Sequence, residues 1–292
     1  MAAEVAVIDA HGRHAQAVQF TKDGKLLLSA GQDACIRLWS VPGFAAAGVF
    51  QGHKNSVNSL ALTPDQRLLA TGSSDGSVRV WSFPQGKCLH ILERQLTGVF
   101  GPDGKQLVTI SVRGQVVVWD ADSGTQVRSI PAIDTRTLCV AFSPDGSSVL
   151  IGGTGRIHRV SVASGKKEGD WAADRMLVTS LRVSPDGKLL ASLGSDGYLR
   201  FWSTKDWSET CSAKLERSGA FNVAFSPKSD SVTLAADHAI LSYAVRDGKL
   251  IDKIEVPLKG LYGVAISPDG KYLANAAADG RVRVWERGPA KG

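Results

Sequence analysis

The chain has 292 residues, 43% of them hydrophobic and 21% charged, with a formal net charge of +6. A chain of this length buries most of the surface that its unfolded form exposes, so it needs no structural metal or disulfide to fold. Its four cysteines, Cys35, Cys88, Cys139 and Cys211, form no CxxC and no metal-ligand spacing, and no stretch approaches the eighteen or so apolar residues of a membrane helix.

Read from the N-terminus, Met1 to Ala10 carries Glu4 and Asp9 where a secretory leader would be basic and then apolar. The expectation is a soluble cytoplasmic protein. Within that segment Val5 to Ile8 is a short apolar run, and it precedes Asp9-Ala10-His11 as Ala47 to Phe50 precedes Gln51-Gly52-His53. A turn at Lys22-Asp23-Gly24 then opens a series of seven: Thr63-Pro64-Asp65-Gln66, Gly101-Pro102-Asp103-Gly104, Ser143-Pro144-Asp145-Gly146, Ser184-Pro185-Asp186-Gly187, Ser226-Pro227-Lys228-Ser229 and Ser267-Pro268-Asp269-Gly270. A second marker follows each turn at nearly constant distance, at Trp39, Trp81, Trp119, Val160, Trp202, Tyr243 and Trp285. Two markers keeping one period of about forty residues mean repeated structural units.

The second repeat shows what the unit is. Val57 to Leu62, Arg67 to Gly72, Ser77 to Trp81 and Lys87 to Leu92 are short β-rich runs separated by Pro, Asp and Gly, which predicts four antiparallel strands. Such a sheet cannot cover both of its own faces, and seven of them arranged around an axis cover one another, which is the propeller solution. After Trp285 too little chain remains for a fourth strand. The pattern therefore predicts an all-β, seven-bladed β-propeller in which Val5 to Ile8 completes the last blade, with one domain over residues 1–287 and a short tail over 288–292.

At these residues the chain resembles the WD40 repeat family. Gly52-His53, Thr71, Asp75 and Trp81 fit that family's pattern, as do His11, Ser29, Asp33 and Trp39 in the first repeat. The resemblance implies that each set of four side chains forms a hydrogen-bonded network inside its blade. Departures are visible too. Counted back from the second strand, the histidine slot holds Ile91, Ala132, Asp174, Leu215 and Pro257 in repeats three to seven, and the Asp position holds Arg113 and Thr154 in repeats three and four. Blades three and four are accordingly expected to open more easily than blades one and two.

Catalytic or metal chemistry has little support. Asp33, Asp75, Asp196, Asp237 and Asp279 recur at one place per repeat, as a structural turn requires. His11 and His14 have HxxH spacing with no third ligand in view, and Gly152-Gly153-Thr154-Gly155 lacks the lysine and helix of a phosphate loop. No cofactor or metal is expected, and no enzymatic role. One pattern stands above the framework: the loop leading into each repeat's first strand carries a cation, at Arg13, Lys54, Arg94, Arg136, Arg175, Arg217 and Lys259. In the family this loop lies on the top face near the channel mouth. The expected function is an interaction scaffold that docks an acidic protein or peptide there. Nucleic acid or another polyanion on the same ring, and a small ligand or enzymatic site in the channel, are the alternatives.

Overall fold

The computed structural model describes residues 2–133, 136–216 and 222–287. Strand β1 (Ala3–Asp9) comes first, and four strands follow for each of the next three units. The first blade is β2 (Ala15–Phe20), β3 (Leu26–Gly31), β4 (Ile36–Ser40) and β5 (Ala46–Phe50). The second is β6 (Val57–Leu62), β7 (Leu68–Ser73), β8 (Ser77–Ser82) and β9 (Cys88–Glu93), and the third β10 (Gln95–Phe100), β11 (Gln106–Ser111), β12 (Val116–Asp120) and β13 (Gln126–Ile130). Then come β14 (Cys139–Phe142), β15 (Ser148–Gly152), β16 (Thr154–Ser161), the long β17 (Lys167–Val183), β18 (Leu189–Gly194), β19 (Tyr198–Ser203) and β20 (Glu209–Lys214). The sixth blade is β21 (Val223–Phe225), β22 (Ser231–Ala236), β23 (Ala239–Ala244) and β24 (Leu250–Glu255); β25 (Leu261–Ile266), β26 (Tyr272–Ala277) and β27 (Arg281–Glu286) end the chain.

Every strand pairs antiparallel with its neighbour, and the last sheet has the order β1-β27-β26-β25. The N-terminal strand therefore supplies the outer strand of the C-terminal blade, with Ala3 opposite Glu286 and Asp9 opposite Arg281. One detail departs from seven separate sheets. β17 is the outer strand of blade four and also the first strand of blade five, which fuses these two into a seven-stranded sheet. Its sequence has no proline and a single glycine, Gly169, so nothing breaks the extended backbone between the two roles.

The first strands of successive blades touch all the way round: β2 with β6, β6 with β10, β10 with β14, β14 with β17, β17 with β21, β21 with β25, and β25 with β2. They form the inner ring. Between neighbouring blades lies one apolar cluster each, seven in all, and each contains one of the periodic markers. Trp39 packs with Val282 and Val284 across the seam that closes the ring, Trp81 with Leu28 and Ile36, and Trp202 with Leu150 and Ile157. The marker recurs because each interface between blades needs an apolar plug, tryptophan or tyrosine at six of them and Val160 between blades three and four.

The proline-containing turns join first to second strands at the opposite end of the blades. In the fourth, Ser143 donates to Asp145 (2.6 Å) while its Oγ accepts the Ser148 amide (3.0 Å), and Gly146 takes φ +72°. A Cβ at Gly146 would sit 3.2 Å from Pro102 of the preceding turn, so the turns stack on one another around the axis.

Candidate functional site

In an antiparallel blade, the loop entering the first strand and the turn between second and third strands emerge on the same face. Backbone bonds join them here: Ser74 N to Ser56 O, Val112 N to Arg94 O, Ser195 N to Leu177 O and Ala278 N to Gly260 O. This face carries both the polar relays and the loop cations.

The relay of the second blade is complete. Trp81 Nε1–H donates to Thr71 Oγ1 (2.8 Å), the Thr71 hydroxyl donates to His53 Nε2 (2.7 Å), and His53 Nδ1–H donates to Asp75 (2.9 Å). Asp75 also accepts the backbone amides of Lys54 and Ser77, both at 2.9 Å. The first blade repeats this with Trp39, Ser29, His11 and Asp33, at 2.9, 3.0 and 2.8 Å, and adds Arg37 on Asp33. That direction of donation requires a neutral imidazole accepting at Nε2. Burial lowers the pKa of both His11 and His53, against the pull of their aspartates. Burial alone would raise Asp33 and Asp75; their hydrogen bonds prevail and hold both carboxyls below the ordinary range.

A group whose folded pKa is depressed contributes stability above its unfolded pKa and loses it as the pH falls. For the two histidines the loss begins near 6.5, well above the range in which the aspartates titrate. Thermal unfolding should therefore show the melting temperature falling more between pH 7.5 and 5.0 in the native chain than in a His11→Gln, His53→Gln variant.

Elsewhere the relay is rebuilt or abandoned. Ile91 lies on outer strand β9 of the second blade, so it does not occupy a histidine position; the third blade has a shorter entering loop and uses Gln95, whose Oε1 accepts the Thr109 hydroxyl (2.7 Å) while Thr109 accepts Trp119 Nε1–H (2.8 Å). Blade four has Ile151 and Val160 at the equivalent places, both buried on the same face of the sheet, an apolar substitute for the whole set. The expected ease of opening thus narrows to the fourth blade, whose inner-strand amides should exchange with deuterium faster than those of blades one to three. Blade five places Asp174 where a histidine would be. Asp174 accepts the Asp196 amide (3.2 Å), and Asp196 is held by Arg200 (2.7 Å). A Cβ at Gly194 would collide with the Asp174 carboxylate, so only glycine admits it. Burial and then the neighbouring Asp196 raise the Asp174 pKa. Such a shift favours the fold below the unfolded pKa of 3.8 and is lost as the pH rises. Asp174→Asn should raise the melting temperature at pH 7.5 and lose that advantage below pH 4.

His11 and His14 do not converge, since His11 is committed to the relay and His14 stacks on Tyr262 with ring centres 5.8 Å apart. Trp171 and Trp207 stack on each other and Phe83 packs on Phe50, so these aromatics fill blade faces. On the inner ring, the described first strands, counting only the Val178–Val183 stretch of β17 that pairs with β18, carry one charged side chain, Arg182.

Of the seven cations expected in loops, Arg13, Lys54, Arg94, Arg136 and Lys259 are exposed outside the strands, Arg175 is exposed but lies within the continuous strand β17 rather than in a loop, and Arg217 lies outside the described residues. Among the described residues no carboxylate comes within ion-pair distance of any of the six. Two acidic neighbours are engaged elsewhere, Asp174 with the Asp196 amide and Glu216 with Lys253 (3.5 Å). Asp134 is likewise outside the described residues.

Closed ring, interface plugs and side-chain relays define a seven-bladed propeller of one repeated unit. Residues 3–40, 46–82, 169–203 and 248–286, together half of the chain, match the family described as WD domain, G-beta repeat, and the chain belongs to it. It is 28% identical over 176 residues to WD repeat-containing protein SL1-17 of Schistosoma mansoni, covering 57% of each. With periodic tryptophan protein 2 of Arabidopsis thaliana it shares 26% over 214 residues, covering 70% of this chain and 24% of that one. The chain thus spans only part of the length of these relatives. The β-propeller domain of Cps50 (Swd1) from Myceliophteria thermophila superposes with a TM-score of 0.87 at 18% identity, covering 99% of this chain and 100% of that domain.

Proposed function

We propose that this chain is a non-enzymatic docking module that receives an acidic protein or peptide on the face carrying the entering loops. WD40 propellers generally act as protein-interaction scaffolds, which supports the coarser statement. The observation that carries the finer one is the set of six exposed cations with no carboxylate partner among the described residues. An unpaired cation is free to meet an incoming carboxylate, and arginine does so with a two-pronged contact. Arranged around one opening, such charges attract an acidic partner over a distance of about 10 Å, a reach set by the salt concentration.

Affinity capture from native lysate tests the reading, comparing the native chain with a variant in which the seven loop cations are neutralised. A specific acidic partner should be captured by the first and missing from the second; the same bound set in both would contradict it. Retention on heparin distinguishes the polyanion alternative, which requires elution that shifts steeply with salt and is lost in an Arg94, Arg136, Arg175 charge-reversal variant.

A further inference from the structure

The large apolar side chains that remain exposed fall into two groups. One group is spread along the rim on β1 and the outer strands, for example Val49, Val127 and Ile251. The other is Leu96, Val112, Leu138 and Met176, exposed by 42, 50, 46 and 62%, and all four belong to the top face of three consecutive blades. Leu96 occupies the register shift between Gln95 and Thr97, where a bulge turns the side chain out of the sheet. The same shift in blades one, two and five holds Gln16, Asn58 and Thr179. Val112 is tied to the Arg94 carbonyl (3.0 Å), and the turn it belongs to abuts Thr137, next to Leu138. Cys139 Sγ in turn reaches the Val178 carbonyl (3.4 Å), two residues from Met176. The four form a patch on blades three, four and the start of five.

Arginines border it. Arg94, Arg113, Arg136 and Arg175 are all exposed and, among the described residues, have no ion-pair partner. Arg113 stands where blades one and two spend an aspartate on the relay, so here the position has been released from internal work. An apolar centre with an unpaired cationic border is complementary to one kind of occupant.

We propose that this patch is the seat of a short acidic segment of a partner protein that carries two or more large apolar side chains. The inference rests on the top-face reading above and narrows it to three of the seven blades and to a mixed chemistry: carboxylates meet the arginines, and aliphatic or aromatic side chains cover Leu96 and Leu138. A nucleic acid would use the border and leave the centre exposed.

Fluorescence anisotropy tests it with three labelled probes: a glutamate-rich peptide of about fourteen residues with leucine at every fourth position, the same peptide with serine for leucine, and a single-stranded oligonucleotide of equal length. The leucine peptide should bind, and the serine peptide and the oligonucleotide at least tenfold more weakly. Leu96→Ser with Leu138→Ser, and separately Arg94→Glu with Arg136→Glu, should each weaken the leucine peptide at least tenfold, while Val127→Ser on the rim changes nothing. All these positions are exposed, and a melting temperature within a few degrees of the native value confirms the fold of each variant. Failure of the leucine peptide to bind, equal binding of the serine peptide or the oligonucleotide, or indifference to the two leucine substitutions overturns the proposal. Loss of a captured partner on neutralising the loop cations, with retention in the leucine variant, would sink the patch and leave the broader docking reading standing.

Discussion

Deleting residues 2–9 should cost this protein most of its stability. Strand β1 completes the sheet of the last blade through its ladder with β27, and Ile8 joins the apolar cluster that seals blade seven to blade one. Removal leaves β27 as an unpaired edge and opens the only seam in the ring that chain connectivity does not hold. The whole stability of a domain is about 5–15 kcal/mol, and losing a strand together with its interface is of that order. The expected result is a melting temperature lower by about 15 °C or more, or a chain that associates through its bare edge. A permuted chain supplies the control. Ala3 lies opposite Glu286, so moving residues 2–9 to follow residue 287 through a short turn makes a hairpin in the native register. That permutant should recover stability to within about 2 kcal/mol, because only the connecting loop has changed. A deletion that unfolds at the native temperature would mean the seam is not closed by this strand.

The second large effect belongs to Thr71. Its hydroxyl accepts from Trp81 and donates to His53, and its side chain is fully buried. Thr71→Val keeps the shape and leaves an indole N–H and an imidazole nitrogen without partners in the interior. Each orphaned group costs about 1–3 kcal/mol, so a loss of about 2–6 kcal/mol is expected, or at least about 5 °C in melting temperature. Thr71→Ser should retain most of the stability, since serine performs the same task at Ser29 in blade one. Calorimetry on the two variants separates the relay from mere packing: equal melting temperatures for Val and Ser would show that the hydroxyl contributes nothing.

Much of the architecture was legible because each marker has a repeated physical task. The Trp series is periodic since every interface between blades needs a plug, and the Ser-Pro-Asp-Gly series since turns four, five and seven close with the same Ser-to-Asp and amide-to-Ser bonds. The N-terminal strand could be placed because the last repeat lacked one. What the period hid were the places where blades solve the same problem differently. Ile91 fell into a histidine slot only because counting assumed a constant loop length, whereas the shorter loop of blade three brings Gln95 to the hydroxyl instead. The merger of blades four and five in β17 was invisible for a related reason: a loop was expected between Lys167 and Val183, and nothing there compels one. The apolar patch was the least legible feature. Nothing in the repeat pattern marks Leu96, Val112, Leu138 or Met176. The bulge at the head of β10 turns Leu96 outward, and the exposure of Leu138 and Met176 is set by their places ahead of the first-strand ladders of blades four and five.

The reading of this surface stands or falls on where a partner touches the ring. The most direct measurement is site-specific photo-cross-linking in native lysate, with the photoreactive residue at Leu138 on the patch, at Val127 on the rim, or at Lys228 in the turn on the opposite face, followed by mass spectrometry of the adducts. One dominant adduct is expected at Leu138, through a segment of the partner that is acidic and carries apolar side chains. Adducts at Val127 or Lys228 with none at Leu138 would contradict it.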